Sequence, residues 1–102
     1  MNRELEFLDE ALEEAEEAAL WYAERSAVAA VGFAEELGEA VAHIKRAPDA
    51  WPIHEHNTRR FLLRRFPYSV VYRVDATRIV IVAVAHAHRR PGYWRDRLVA
   101  PG

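Results

Sequence analysis

The sequence contains no cysteine, so the protein needs no oxidising compartment for disulfide bonds and has no thiol nucleophile. Long apolar runs are also missing. The longest strongly apolar run, Ile79 to Ala85, has seven residues, whereas a membrane-spanning helix needs about 20. The first ten residues, MNRELEFLDE, are acidic and lack the apolar stretch of a secretory signal. We therefore expect a cytoplasmic protein that uses no cofactor and has no membrane partner.

The composition is that of a small globular protein. The chain has 102 residues, of which 51% are hydrophobic and 29% are charged. Disordered chains carry fewer apolar residues, and a second hydrophobic core would need a longer chain. We expect a single domain that spans residues 1–102.

Charge is divided unevenly along the chain, although the net charge is only −2. Residues 1–50 hold thirteen acids and four bases, which gives −9. Residues 51–102 hold three acids and ten bases, all arginine, which gives +7. Arginine binds phosphate and carboxylate groups bidentately, so the second half suits a nucleic acid or an acidic protein segment. Alternatively, the two charged halves face each other across the fold.

The first half of the sequence predicts a short strand followed by a helix. Residues 4–8 alternate polar and apolar side chains, as in a half-buried strand. Asp9 is a plausible N-cap for a helix that runs to Arg25. The apolar residues of this helix form a stripe with helical spacing, which consists of Leu12, Ala15, Ala19 and Tyr22. Trp21 lies beside this stripe. We expect it to pack internally, whereas an exposed Trp21 would mark a groove for a partner.

A second helix is predicted from Ser26, its N-cap, to about Ala47, because Pro48 cannot continue a helix. Only one or two residues separate the two helices, so they should form an antiparallel hairpin. The apolar stripe of the second helix consists of Ala30, Phe33, Leu37, Ala40 and Ile44.

The second half of the sequence changes to strand periodicity. Strands are predicted at Arg59–Arg65, Tyr68–Val74 and Arg78–His86, with short turns between them. The last strand is apolar on both faces and should therefore be central. A basic and aromatic tail, Arg89–Arg97, follows. The predicted fold class is α+β, in the order β-α-α-β-β-β, with the helical hairpin packed on a mainly antiparallel sheet of about four strands.

Four segments of the sequence, taken in order, resemble the RelE/ParE toxin superfamily, and ParE-like members more closely. They are EEAALWYAERS, PDAWP, RRFLLRRFPYSVVYRV and AVAHAHRRPGYWRDR. The resemblance covers roughly residues 4 to 97. It implies the toxin of a bacterial type II toxin–antitoxin system, neutralised by the C-terminal segment of a cognate antitoxin.

The superfamily implies two alternative activities. ParE-like members inhibit DNA gyrase, with no established chemistry of their own. RelE-like members are ribosome-dependent endoribonucleases that cut mRNA. A third possibility is a homologue that binds an antitoxin but is not toxic.

The resemblance places the catalytic positions of RelE-like nucleases on this sequence. Leu62 and Ser69 fall where those enzymes have cationic residues, so two cations are missing. Other side chains could replace them: Arg64 or Arg65 could supply positive charge, and His86 or His88 could act as an acid or a base near neutral pH. Because two cations of the nuclease site are missing, gyrase inhibition is favoured over RNA cleavage. Three positions retain a suitable residue: Arg60, Arg89 and Tyr93.

The basic residues of the second half are also candidates for contacts with the target or the antitoxin. A long basic surface is best neutralised by carboxylates, so we expect an acidic or amphipathic antitoxin segment to cover it. The candidate residues are Arg64, Arg65, Arg73, Arg90, Trp94 and Arg95.

Two histidine pairs, His54 with His56 and His86 with His88, could each chelate a metal if they lay on strands. Zinc sites have sharper spacing signatures, and the resemblance implies no metal. We therefore expect no metal site.

Overall fold

The computed structural model describes residues 3–98; the first two and the last four residues of the predicted domain lie outside this range. The sheet has the order β1-β4-β3-β2. β1 runs parallel to β4, and the other pairs are antiparallel, which confirms the predicted α+β fold. No helix within residues 3–98 has the length and hydropathy needed to cross a membrane. The elements are β1 (Glu4–Phe7), α1 (Asp9–Ala23), α2 (Ala27–Arg46), β2 (Arg59–Leu62), β3 (Tyr68–Val74) and β4 (Arg78–His86).

The start and the buried face of α1 differ from the prediction. Leu8 is the N-cap and Asp9 is the first helical residue, where its charge favours the helix N-terminus. Of the predicted stripe, Ala15 is buried and Ala19 and Tyr22 pack against the core, but Leu12 is exposed, and Ala11 and Ala18 are buried instead. Both sets have helical spacing. The alanine set faces the core because small side chains let α1 lie close to the sheet, which leaves Leu12 exposed.

The prediction for α2 is confirmed. The Ser26 hydroxyl accepts a hydrogen bond of 3.1 Å from the Ala29 backbone nitrogen, as an N-cap should. Phe33, Ala40 and Ile44 are buried.

β2 was predicted to run to Arg65 but ends at Leu62. The chain turns earlier because the Leu63 nitrogen donates to the Tyr68 carbonyl, at 2.9 Å, and closes the hairpin. Glu36 of α2 then holds the turn, since its carboxylate accepts a hydrogen bond of 3.2 Å from the Arg65 backbone nitrogen.

β4 is central, as predicted, with an apolar cluster on each side of the sheet. The larger cluster lies beneath the helices and includes Phe33, Tyr72 and Ile81. The smaller cluster lies on the opposite face, and its cover is Trp94, which belongs to the chain after β4. The segment after β4 is therefore part of the folded structure.

Candidate functional site

The C-terminal segment, defined here as residues 89–98, folds back after β4. The Arg89 nitrogen donates to the His86 carbonyl at 3.0 Å and starts the turn. Gly92 has a positive φ of 74°, and a Cβ there would lie 3.1 Å from a carboxylate oxygen of Glu55. Both constraints favour glycine. The segment ends in a 3₁₀ helix at Arg95–Leu98.

Trp94 anchors the C-terminal segment. The sequence suggested it as a partner contact, but it is only 4% exposed and packs in the cluster of Val71, Val80, Val82 and Ala83. In this conformation Trp94 offers almost no surface to another molecule. Its burial instead fixes the position of the neighbouring arginines.

A second anchor of this segment is Glu14 of α1. Its carboxylate binds the Arg97 guanidinium at 2.9 and 3.1 Å and accepts the Tyr93 hydroxyl at 2.6 Å. The same carboxylate accepts a hydrogen bond of 3.1 Å from the Val84 nitrogen, and Arg97 donates to the Val82 carbonyl at 3.1 Å. Glu14 and Arg97 thus satisfy backbone groups of β4 that pair with no strand within residues 3–98. This role could not be predicted from the sequence, because Glu14 resembles its exposed acidic neighbours.

The Tyr93 hydroxyl donates its hydrogen bond to the Glu14 carboxylate. Burial raises the pKa of Tyr93, and the hydrogen bond to the Glu14 carboxylate raises it further. The Arg89 guanidinium stacks on the ring at 3.8 Å. Tyr93 therefore stays protonated near neutral pH, and its proton points at Glu14.

The predicted nuclease positions lie together around a cavity of 120 Å³ on the sheet face that points away from the helices. At one side of this face, Leu62 pairs directly with Ser69 across β2 and β3. Leu62 is 60% exposed. The two positions that lack a cation are therefore neighbours, and Ser69 lines the same cavity as Arg60 and Arg89. The predicted site residues that line the cavity are Arg60, His86, Arg89 and Tyr93, together with Arg90 and Trp94.

The remaining candidate arginines fall into two groups. Arg65 and Arg73 are engaged, because Arg65 pairs with Glu36 at 3.0 Å and Arg73 donates to the Leu98 carbonyl at 3.4 Å. The side chains in the second group are exposed and form no ion pair within residues 3–98. They are Arg64, Arg90 and Arg95.

Glu36 also determines the electrostatics of the β2–β3 turn. Burial alone would raise the pKa of the Glu36 carboxyl. Hydrogen bonds from the backbone nitrogens of Arg64 and Arg65, and from the Arg65 guanidinium, outweigh burial and lower that pKa. The ionised carboxylate therefore holds the basic turn in place.

The histidine pairs are not arranged as the strand hypothesis required. His56 lies in a 3₁₀ turn with φ of 56°, and His88 follows the end of β4. The His88 nitrogen donates to Nδ1 of His86 at 3.0 Å. Within residues 3–98, no group of three or more histidine, aspartate or glutamate side chains could hold a metal ion.

Trp21 was expected to pack internally, and this prediction is wrong. It is 49% exposed and borders a groove of 450 Å³ between α1 and the end of β4. The Arg25 guanidinium lies 3.7 Å from its ring. An exposed Trp21 was the arrangement expected at a groove for a partner.

Comparisons with known proteins give a family and a fold. A family model described as "ParE toxin of type II toxin-antitoxin system, parDE" matches residues 5–91. A solved chain titled "Chromosomal ParDE TA system from P. aeruginosa" is similar in structure, with a TM-score of 0.73 and 19% identity. The match covers 84% of this chain and 97% of that chain. At this identity the likeness shows the fold alone. A search of curated proteins gave no significant match.

Proposed function

The chain belongs to the ParE toxin family of type II toxin–antitoxin systems, and we propose that it inhibits DNA gyrase and is neutralised by a cognate antitoxin. The protein then acts by binding another protein rather than by cutting RNA. Growth arrest follows when the antitoxin is lost.

The observation that carries this choice is the Leu62–Ser69 pair, which lies on the sheet face opposite the helices and holds no cation. Cleavage of RNA through its 2′-hydroxyl needs cations around the phosphate as well as an acid and a base. Leu62 and Ser69 supply no charge at two neighbouring positions. Tyr93 also supports a protein target, since its hydroxyl is held by Glu14.

The C-terminal segment is the surface that we propose for the gyrase contact. Its exposed arginines, Arg89, Arg90 and Arg95, form no ion pair within the described residues. Trp94 and the Glu14–Arg97 pair hold the backbone beneath them. A rigid basic surface loses little conformational entropy on binding, which favours affinity for an acidic protein surface.

The same distribution of charge supports neutralisation by an antitoxin. The basic half of the chain, with its net +7, forms β2, β3, β4 and the C-terminal segment. We propose that an acidic or amphipathic C-terminal segment of the antitoxin covers this basic surface. Such a segment would neutralise the arginines that the target otherwise contacts.

A ribosome-dependent mRNA endoribonuclease is the second candidate. It is favoured by one observation, the 120 Å³ cavity that brings Arg60, His86 and Arg89 together. In that case the arginines would bind the scissile phosphate and His86 would transfer a proton.

Transcriptome-wide mapping of mRNA 5′ ends, shortly after induction of the chain without its antitoxin, separates the two candidates. We expect growth-arrested cells with intact messages. New cuts inside translated codons would overturn the proposed function. An Arg60→Ala/Arg89→Ala variant that lost those cuts would assign them to the cavity.

A further inference from the structure

The outer side of the helical hairpin is acidic; we call the exposed residues of α1 and α2 the helix surface. Residues 9–46 hold ten acids and three bases, which gives −7. Of these acids, only Glu14 and Glu36 form an ion pair within residues 3–98, and the other eight are exposed. The bases do little to offset them, because Arg25 stacks on Trp21 and the other two lie in the last turn of α2.

The helix surface also carries exposed apolar side chains. Leu20, near the end of α1, and Val28 and Val31, near the start of α2, are each more than half exposed. Val28 and Val31 are three residues apart and therefore share one face of α2. Apolar side chains that lie together on a surface, with charges around them, are typical of a contact with another protein.

A basic surface lies on the other side of the sheet. Phe61 packs against the cluster beneath the helices, so Arg60 and Leu62, its neighbours in β2, point to the opposite face. Leu62 is exposed, and Arg60 lines the small cavity together with Arg89 and Arg90. Glu55 also lines this cavity and leaves its surroundings net positive. We call Arg60, Leu62, Arg89 and Arg90 the sheet surface.

The two surfaces cannot neutralise each other within one molecule, because the sheet lies between them. The helices cover one face of the sheet, and Trp94 packs on the other. Within residues 3–98, ion pairs between the two halves of the chain engage only four of the ten arginines in residues 51–102. Arg60, Arg89 and Arg90 are not among them.

We propose that the helix surface of one molecule binds the sheet surface of a second copy of this chain. The free carboxylates of the first molecule attract the free arginines of the second, and Val28 and Val31 pack on the exposed Leu62. Because the two surfaces differ, the contact is heterologous and repeats head to tail, as in a ring or an open chain. The inference requires neither gyrase nor an antitoxin, so its failure would leave the proposed function intact.

The mass of the purified chain in sedimentation velocity is the first readout. In about 50 mM salt we expect a mass above that of the monomer that rises with protein concentration. In about 500 mM salt we expect an association at least tenfold weaker, because salt screens exposed charges. A wild-type chain that stays monomeric at low salt would overturn the proposal.

Two double variants each remove one surface. Val28→Lys/Val31→Lys alters the helix surface, and Arg60→Glu/Arg90→Glu alters the sheet surface. All four positions are exposed, so both variants should remain folded by circular dichroism. We expect each variant alone to be monomeric at low salt.

Two controls make the same changes in charge elsewhere on the protein. Ala76→Lys/Thr77→Lys lies in the exposed turn between β3 and β4, and Lys45→Glu/Arg46→Glu lies at the end of α2. Both controls should associate like the wild type. A loss of association in the controls equal to that of the surface variants would overturn the proposed surfaces, since net charge alone would then explain it.

A mixture of the two surface variants distinguishes a head-to-tail contact from a symmetric one. Each variant retains the surface that the other lacks, so the mixture should form a 1:1 dimer that grows no further. A mixture that stays monomeric would overturn the proposal. So would self-association of the Arg60→Glu/Arg90→Glu variant, because its copies could then join through the helix surface alone.

Discussion

The carboxylate of Glu14 and the guanidinium of Arg97 lie 2.9 Å apart, with side chains that are 15% and 17% exposed. Eighty-three residues separate them in sequence. The pair joins the acidic helix α1 to the end of the basic C-terminal segment and also forms hydrogen bonds with the backbone of β4 at Val82 and Val84. The two halves of the chain, which differ so strongly in charge, are therefore connected by a largely buried ion pair.

Glu14→Gln should destabilise the fold and loosen the C-terminal segment. Removal of one partner leaves the Arg97 charge uncompensated in a largely buried position, at a cost of about 3 kcal/mol. Urea denaturation measures this cost, and hydrogen exchange of residues 93–97 measures the loosening. Glu13→Gln, at an exposed position of the same helix, is the matched control. Equal stability of the two variants would contradict the role of the pair.

Trp94→Ala should be far more destabilising than Trp21→Ala. Trp94 is buried in the smaller apolar cluster, and truncation of a core tryptophan costs about 3–5 kcal/mol. Trp21 is half exposed, so its loss should cost less than about 1 kcal/mol. Thermal and urea denaturation of both variants provide the comparison. Similar losses would mean that the C-terminal segment does not pack on the sheet as described.

Glu36→Gln should weaken the fold at neutral pH but not in acid. The lowered pKa of Glu36 means that its ionised form stabilises the folded state. This contribution, roughly 1 kcal/mol, is complete above the ordinary carboxyl value of 4.5 and is lost as pH falls through the lower folded value. Urea denaturation of the variant and the wild type should therefore converge below pH 4.5. Glu35→Gln, on the exposed face of α2, should show no such pH dependence.

Charge reversal at Arg90 and Arg95 should abolish growth arrest without unfolding the protein. Both side chains are exposed, so stability should change by about 0.5 kcal/mol or less per site. Lys45→Glu/Arg46→Glu, at the end of α2, gives the same change in net charge away from the C-terminal segment. We expect that control to remain toxic in a growth assay. If the Arg90→Glu/Arg95→Glu variant stayed fully toxic, the segment would not be the target contact.

The order of elements could be predicted from the sequence because hydrophobic periodicity and turn residues act locally. The Ser26 cap and the buried residues of α2 followed from the same signals. The prediction for α1 failed in detail because two overlapping stripes, one with Leu12 and one with Ala11, both have helical spacing. Only the close approach of α1 to the sheet selects the alanines.

The candidate site was harder to predict. The positions around the small cavity followed from the resemblance, and the structure places Arg60, His86 and Arg89 together there. The burial of Trp94 and the role of Glu14 could not be predicted, because both depend on where the C-terminal segment folds back. Glu14 has the same local pattern as the exposed glutamates around it, so no sequence signal distinguishes it.

The most direct test of a protein-directed toxin is a DNA supercoiling assay with purified gyrase and the purified chain. We predict that the wild-type chain inhibits supercoiling in proportion to its concentration and that added antitoxin reverses the inhibition. The Arg90→Glu/Arg95→Glu variant should inhibit at least tenfold less. Unimpaired supercoiling at a large molar excess of the folded wild-type chain would contradict the proposed function.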